Sequence, residues 1–233
     1  MGHDDKKAVV LLSGGLDSAT TLALAMKDGY HVLSLTIVYG QKHAWEINSA
    51  KKLVKFYRLK NHRIVNLDLA AFGGSALTDE LEVPKNRSIN DMDDDIPITY
   101  VPARNTVFLS VALAYAEARD ACHIFLGVNA IDYSGYPDCR PEFIKAFESV
   151  ANLGTKMGIE GTKINIHTPL IYMKKHEIIK TGINLGVDYS LTHSCYDPGD
   201  NGISCGACDA CTLRLKGFQD AGLHDPLNYQ NEL

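Results

Sequence analysis

The sequence predicts an α/β protein with a doubly wound, mostly parallel sheet and a small cysteine-bearing segment near its C-terminal end. Three observations lead there. Short apolar runs rich in β-branched residues alternate with amphipathic stretches of helical length, the pattern of βαβ units. The first apolar run, Ala8 to Leu12, passes directly into a glycine pair and then into helical periodicity. Four of the six cysteines fall between Cys195 and Cys211.

The elements follow in order. After Ala8–Leu12, Ser13-Gly14-Gly15 makes a turn, and Leu16, Ala19 and Ala23 mark a helix that ends near Gly29. His31 to Val38 is a second strand, followed by Tyr39-Gly40-Gln41-Lys42-His43 and a helix from Trp45 to Leu59. Ile64 to Leu69 reads as a third strand. Residues from about Ala70 to Thr99 break the pattern and carry an acidic run, Asp91 to Asp95, that reads either as Mg²⁺ ligands or as a solvated loop. Val101-Pro102-Ala103-Arg104-Asn105-Thr106 opens a helix that runs to about Arg119. Cys122 to Val128 is a fourth strand, Pro141 to Met157 a helix, Lys163 to His167 a short strand, and Lys174 to Leu185 a helix. Parallel strands joined by helices cross over right-handedly, and ligands bind outside their carboxyl ends.

Composition narrows the class. A chain of 233 residues makes one large domain or one domain with a small appendage. The formal charge of −5 argues against a large nucleic-acid footprint. No apolar run reaches membrane-spanning length, and Met1 to Lys7 does not resemble a signal peptide. Met1-Gly2 lacks the Ser or Thr at position 6 that myristoylation needs, since Lys6 stands there. These readings predict a cytoplasmic protein.

The chemistry-bearing residues form several groups. A strand, a glycine turn and a helix start gather unpaired backbone N–H groups and the positive end of a helix dipole, a place for an anion. Gly14 and Gly15 let a phosphate approach the backbone, yet no Gly-Lys-Ser/Thr follows, so this is not a Walker A loop. Arg104, at a helix start, suits a phosphate or carboxylate bidentately, or else lies on the surface. Lys163 offers a point charge for phosphate. Asn129 to Phe143 is dense in polar and aromatic groups: Asp132, Tyr133, Ser134, Tyr136, Asp138, Arg140 and Glu142. Such a loop after a strand end suits a flat polar ligand, with acidic groups for a guanine-type N–H edge and tyrosines for its ring. Cys139 reads as a packed residue or a nucleophile, and His167 and His176 as structural. Cys195, Cys205, Cys208 and Cys211 are spaced Cys-x9-Cys-x2-Cys-x2-Cys, which suits a closed tetrahedral Zn²⁺ site; an Fe–S cluster and a redox pair are the alternatives.

Ser13-Gly14-Gly15-Leu16-Asp17-Ser18 resembles the Ser-Gly-Gly-x-Asp-Ser pyrophosphate loop (PP-loop) of the ATP pyrophosphatases. Together with Tyr39 to His43, Val101 to Asn105, Asp132 to Glu142 and the four cysteines, the chain resembles the QueC family of 7-cyano-7-deazaguanine (preQ0) synthases over nearly its whole length. The Met1 to Asp5 extension and the Asp91 to Asp95 insert depart from the minimal family pattern. The resemblance implies a Rossmann-like, adenine nucleotide α-hydrolase-like fold, with residues 1–190 as the PP-loop domain and 191–233 as a zinc-binding segment packed on it. It implies a homodimer that converts 7-carboxy-7-deazaguanine and ammonia to the nitrile with ATP, through adenylated intermediates, in queuosine biosynthesis. Leu12, Ser13, Gly14, Gly15, Leu16, Asp17 and Ser18 would hold ATP, with Asp17 on Mg²⁺ and with Lys163 and Arg104 balancing phosphate charge. Tyr39, Gln41, Lys42, His43, Asp132, Tyr133, Tyr136, Asp138, Arg140 and Glu142 would hold the deazaguanine, and Cys195, Cys205, Cys208 and Cys211 structural zinc. Two rival functions are a PP-loop tRNA thiolation enzyme, which would need a basic surface and further catalytic cysteines, and a non-catalytic ATP-binding zinc protein.

Overall fold

The computed structural model describes residues 6–88, 96–131 and 135–230. Among these residues five strands form one sheet in the order β3-β2-β1-β4-β5, and every neighbouring pair is parallel. The strands are β1 Lys7–Leu11, β2 His31–Val38, β3 His62–Asn66, β4 His123–Phe125 and β5 Asn165–His167. The chain builds outward from β1 to β3, then returns to lay β4 on the other side of β1. Beside the carboxyl ends of β1 and β4 the winding reverses, and a crevice opens there.

Period-two alternation along β1 sorts its side chains between two cores. Val9 and Leu11 face one that includes Leu109, Ala112 and Ala116 of α3 (Arg104–Ala118) and Ile144, Phe147 and Ala151 of α4 (Pro141–Leu153). Ala8, Val10 and Leu12 face the other, formed with α1 (Leu16–Lys27), α2 (Trp45–Phe56), α6 (Lys175–Asn184) and Phe218 of α7 (Asp209–Ala221). Covering both faces explains why Ala8 to Leu12 reads as a continuous apolar run.

Several boundaries differ from the sequence expectation. The third strand ends at Asn66, because Leu67 and Leu69 donate their N–H groups to the Val38 and Tyr39 carbonyls as part of a loop. The helix expected over 141–157 stops at Leu153. Thr155 then caps a separate turn, α5 (Lys156–Ile159), by accepting from the Gly158 N–H. Helix α7 was not anticipated from the sequence. It buries Ala210, Leu213, Arg214, Gly217 and Phe218, and an arginine and a glycine on the inward stripe disguise the periodicity.

The irregular stretch after β3 docks on the cysteine segment: Lys85 pairs with Asp197 at 2.7 Å and Arg87 with Asp209 at 3.0 Å. The acidic run Asp91 to Asp95 lies outside the described residues. Among the described residues no helix is long and apolar enough to cross a membrane.

Candidate active site

The loop between β1 and α1 is held from three sides. Ser18 Oγ donates to the Gly15 carbonyl at 2.9 Å and accepts from the Gly14 N–H at 3.2 Å, closing the turn on itself. His193, from far along the chain, donates its N–H to the Gly14 carbonyl at 2.9 Å. On the third side α2 abuts Gly14. This residue has φ +96, and a Cβ built on it would lie 2.2 Å from the Glu46 carbonyl oxygen. Gly14→Ala should therefore cost more than about 2 kcal/mol, from a left-handed non-glycine backbone plus a main-chain clash. Thermal denaturation should show the melting temperature falling by roughly 4 °C or more.

Helix α1 starts at Gly15 without a side-chain cap, so its first-turn N–H groups, which helix geometry leaves without intrahelical acceptors, face the crevice. Asp17 in that turn accepts from Lys175 Nζ at 2.9 and 3.0 Å. The cation at the loop is thus Lys175 of α6. Lys163 lies exposed just ahead of β5, at the amino ends of the strands and away from the crevice. Its expected phosphate role is corrected on that ground.

A cavity of about 190 Å³ opens from the loop along the β1–β4 junction. Ser13, Asp17 and Ser18 line it together with Tyr39, Gln41, Glu46, Arg104, Tyr136 and Tyr196. Leu12, Gly15 and Leu16 also border it, whereas Gly14 faces α2. Arg104, at the start of α3, sets its guanidinium 5.8 Å from the Tyr39 ring centre and 5.9 Å from that of Phe108. The residue before it, Ala103, is held at φ 53, a conformation that a non-glycine residue adopts at some cost. Gln41 Oε1 accepts from the Tyr39 N–H at 2.9 Å, and Tyr136 shares a 2.9 Å hydrogen bond with Thr99.

Burial governs the ionisation of this lining. It pushes the Glu46 carboxyl up to about 7, with the Arg104 charge opposing. It raises the Tyr39 hydroxyl and the Cys139 thiol to about 12 each, again against Arg104. Cys139 therefore holds its proton and receives a hydrogen bond from Asn105 at 3.3 Å, the behaviour of a packed thiol.

The remaining expected residues divide. Asp138 is buried and already committed: it accepts from the Asn105 backbone N–H at 3.0 Å and from the Asn105 side chain at 3.3 Å, which caps α3. Arg140 and Glu142 are exposed and do not line the cavity, because the turn at Pro137–Cys139 directs them to the surface. Lys42 and His43 border a smaller adjacent cleft; Lys42 donates to the Leu81 carbonyl at 2.6 Å, and His43 sits 3.8 Å from Asp197. Asp132, Tyr133 and Ser134 lie outside the described residues.

Cys195, Cys205, Cys208 and Cys211 are all buried, with their Sγ atoms within 4.8 Å of one another. The Cys205–Cys211 separation of 4.0 Å is close to the edge of a tetrahedron with metal–sulfur bonds of about 2.3 Å. Backbone N–H groups of Cys205, Ala207 and Cys208 point at sulfur at 3.2 to 3.4 Å, which favours thiolates. This donor set could hold a metal ion. Gly202 lies against the Trp45 ring, so the cysteine loop is seated on α2.

The family model described as "Queuosine biosynthesis protein QueC" matches residues 7–222. The chain belongs to this family. It is similar to proteins named 7-cyano-7-deazaguanine synthase. One from Desulfatibacillum aliphaticivorans is 60% identical over 96% of this chain and 97% of its own length. Another, from Paramagnetospirillum magneticum, is 57% identical over 96% and 99%. Among solved structures, the NMN synthetase of Francisella tularensis shares the fold with a TM-score of 0.50 and 19% identity, covering 95% of this chain and 79% of that one.

Sequence reasoning did not find Glu46, Lys175, Ser194 or Tyr196. Only Glu46 carried a signal, an acid three residues past the Tyr39 to His43 motif.

Proposed function

We propose that this QueC member converts 7-carboxy-7-deazaguanine and ammonia to 7-cyano-7-deazaguanine, using ATP and releasing AMP and pyrophosphate. The observation that carries the reading is one cavity lined both by residues of the Ser13–Ser18 loop and by Arg104, which lies over the Tyr39 and Phe108 rings. A carboxylate resists attack by ammonia because its charge repels the nucleophile and oxide is a poor leaving group. Transfer of AMP to the carboxylate removes both obstacles.

In this reading Ser13, Gly15 and Ser18 hold the pyrophosphate through backbone N–H groups and hydroxyls, and Gly14 shapes the turn against α2. Leu12 and Leu16 flank it. Asp17 holds Mg²⁺, which when bound offsets the charge on the departing pyrophosphate. Lys175, already beside Asp17, serves where Lys163 was expected to. Arg104, always charged, orients the substrate carboxylate, and Tyr39, Gln41 and Tyr136 hold the deazaguanine with Asp132 and Tyr133. After ammonia gives the amide, a second adenylation at the amide oxygen permits dehydration to the nitrile. Residues 1–190 form the PP-loop unit. Residues 191–233 form a zinc-stabilised segment, for which the four-sulfur donor set is the support. The protein acts as a cytoplasmic homodimer on small molecules, without nucleic acid or membrane; the net charge of −5 supports the exclusion of nucleic acid.

Incubation with ATP, Mg²⁺, an ammonium salt and the carboxy-deazaguanine should yield AMP and the nitrile, read by chromatography and mass spectrometry. Absence of substrate-dependent AMP would overturn the assignment.

A further inference from the structure

We propose that Glu46 accepts the proton that the attacking nitrogen loses as it bonds to the activated carboxyl carbon. The inference rests on the function proposed above and assigns its proton transfer to a residue. In this step ammonia forms a C–N bond, and the C–O bond to AMP breaks with its electron pair leaving on the AMP phosphate oxygen. The nitrogen passes from three hydrogens to two, and that proton goes to a Glu46 carboxylate oxygen. Atoms and charge balance without a further reactant.

Position is the first argument. Glu46 lines the main cavity and also the adjacent smaller cleft, so it stands where the two meet, with Tyr39, Gln41 and Tyr196. Its own main chain abuts the nucleotide loop at Gly14, which fixes its distance from the phosphates of bound ATP. A proton acceptor must reach the nitrogen that it serves, and this placement supplies that constraint.

Elimination is the second. Among the described residues the other carboxylate lining the cavity is Asp17, which pairs with Lys175 through both oxygens and is assigned to Mg²⁺ in the reading above. Asp138 is occupied with the start of α3. Tyr39 and Cys139 keep their protons far above neutral pH. Glu46, by contrast, is poised near 7, where a carboxyl can both take up a proton and release it.

The test separates adenylation from ammonia capture in the intact protein. Glu46→Gln keeps the shape of the side chain and removes its basicity. Substrate-dependent pyrophosphate–ATP exchange should stay within about threefold of the parent, because forming the adenylate needs no base at nitrogen. Nitrile formation from ammonium should fall by about 100-fold or more. Nitrile production within about threefold of the parent would overturn the proposal. So would a parallel loss of exchange, which would mean that Glu46 merely holds the loop or the substrate. If Glu46→Gln does not fold, Glu46→Asp carries the same test. Its shortened carboxylate should slow ammonia capture about tenfold or more and leave exchange intact. A parent chain without substrate-dependent exchange would overturn the proposed function, and this inference with it.

Discussion

Asp17→Asn should reduce nitrile formation by about 100- to 1000-fold, the scale on which removing one charged partner of a transition state acts. The geometry adds a second, separable effect. Asp17 holds Lys175, whose side chain is only 9% exposed, through both carboxylate oxygens. Neutralising Asp17 removes a charge-assisted pair and should cost about 2 kcal/mol, or roughly 4–8 °C in melting temperature. Adding Lys175→Met to the variant should return most of that stability, since an apolar side chain no longer needs the carboxylate. Activity should remain lost in the double variant. Calorimetry and turnover measured on the four proteins of this cycle separate the two roles. If activity returned together with stability, Asp17 would be a structural residue and its metal assignment would fall.

Cys208→Ser should abolish stoichiometric metal binding and lower the melting temperature by more than about 10 °C. Structural zinc contributes on the order of 10 kcal/mol in small metal-dependent segments, and even part of that is large for one domain. The damage should extend past the cysteines because Cys208 also stands at the start of α7. That helix carries Arg214, which is almost wholly buried. Arg214 donates to Asp225 at 2.6 and 2.9 Å, to Thr192 at 2.7 Å and to the Tyr189 carbonyl at 3.1 Å. Thr192 and Tyr196 bracket the residues that close the cavity, so the surviving folded fraction should show a raised KM. Elemental analysis and differential scanning calorimetry check the first two effects, and steady-state kinetics the third. Full metal content or unchanged stability in the variant would remove the cysteines from the fold's support.

Much of this was legible in the sequence because the relevant signals are local. The first strand, buried on both faces, lies in an uninterrupted apolar run, Ala8 to Leu12, and the Ser13–Ser18 turn is defined by six consecutive residues. The cysteines likewise declare themselves by spacing. Contacts that span the chain were not legible. The Asp17–Lys175 pair joins positions 158 residues apart, and nothing near Lys175 marks it as different from any other lysine at a helix start. Glu46 sits in a first helical turn, where an acid is ordinarily explained by the helix dipole. Asp138 has the chemistry of a ligand-binding residue but is used to cap a helix. Lys163 offers a different lesson. It precedes its strand, and the rule that ligands sit at carboxyl ends already disfavoured it.

The hydrogen bond from His193 to Gly14 joins an early part of the chain to a late one. A ribosome produces the nucleotide loop almost at once, but the residues that clasp and wall it, His193, Ser194 and Tyr196, emerge only after the whole sheet. The anchors of that wall come later still: Asp225 receives both Arg214 and the Tyr229 hydroxyl, and Gln230 donates its N–H to the Ser204 carbonyl. During translation the nascent chain therefore carries the Ser13–Ser18 turn with an open flank and no finished chamber behind it. Under the proposed function, competence to spend ATP arrives late and all together, so an arrested or clipped chain is expected to be inert rather than a wasteful hydrolase.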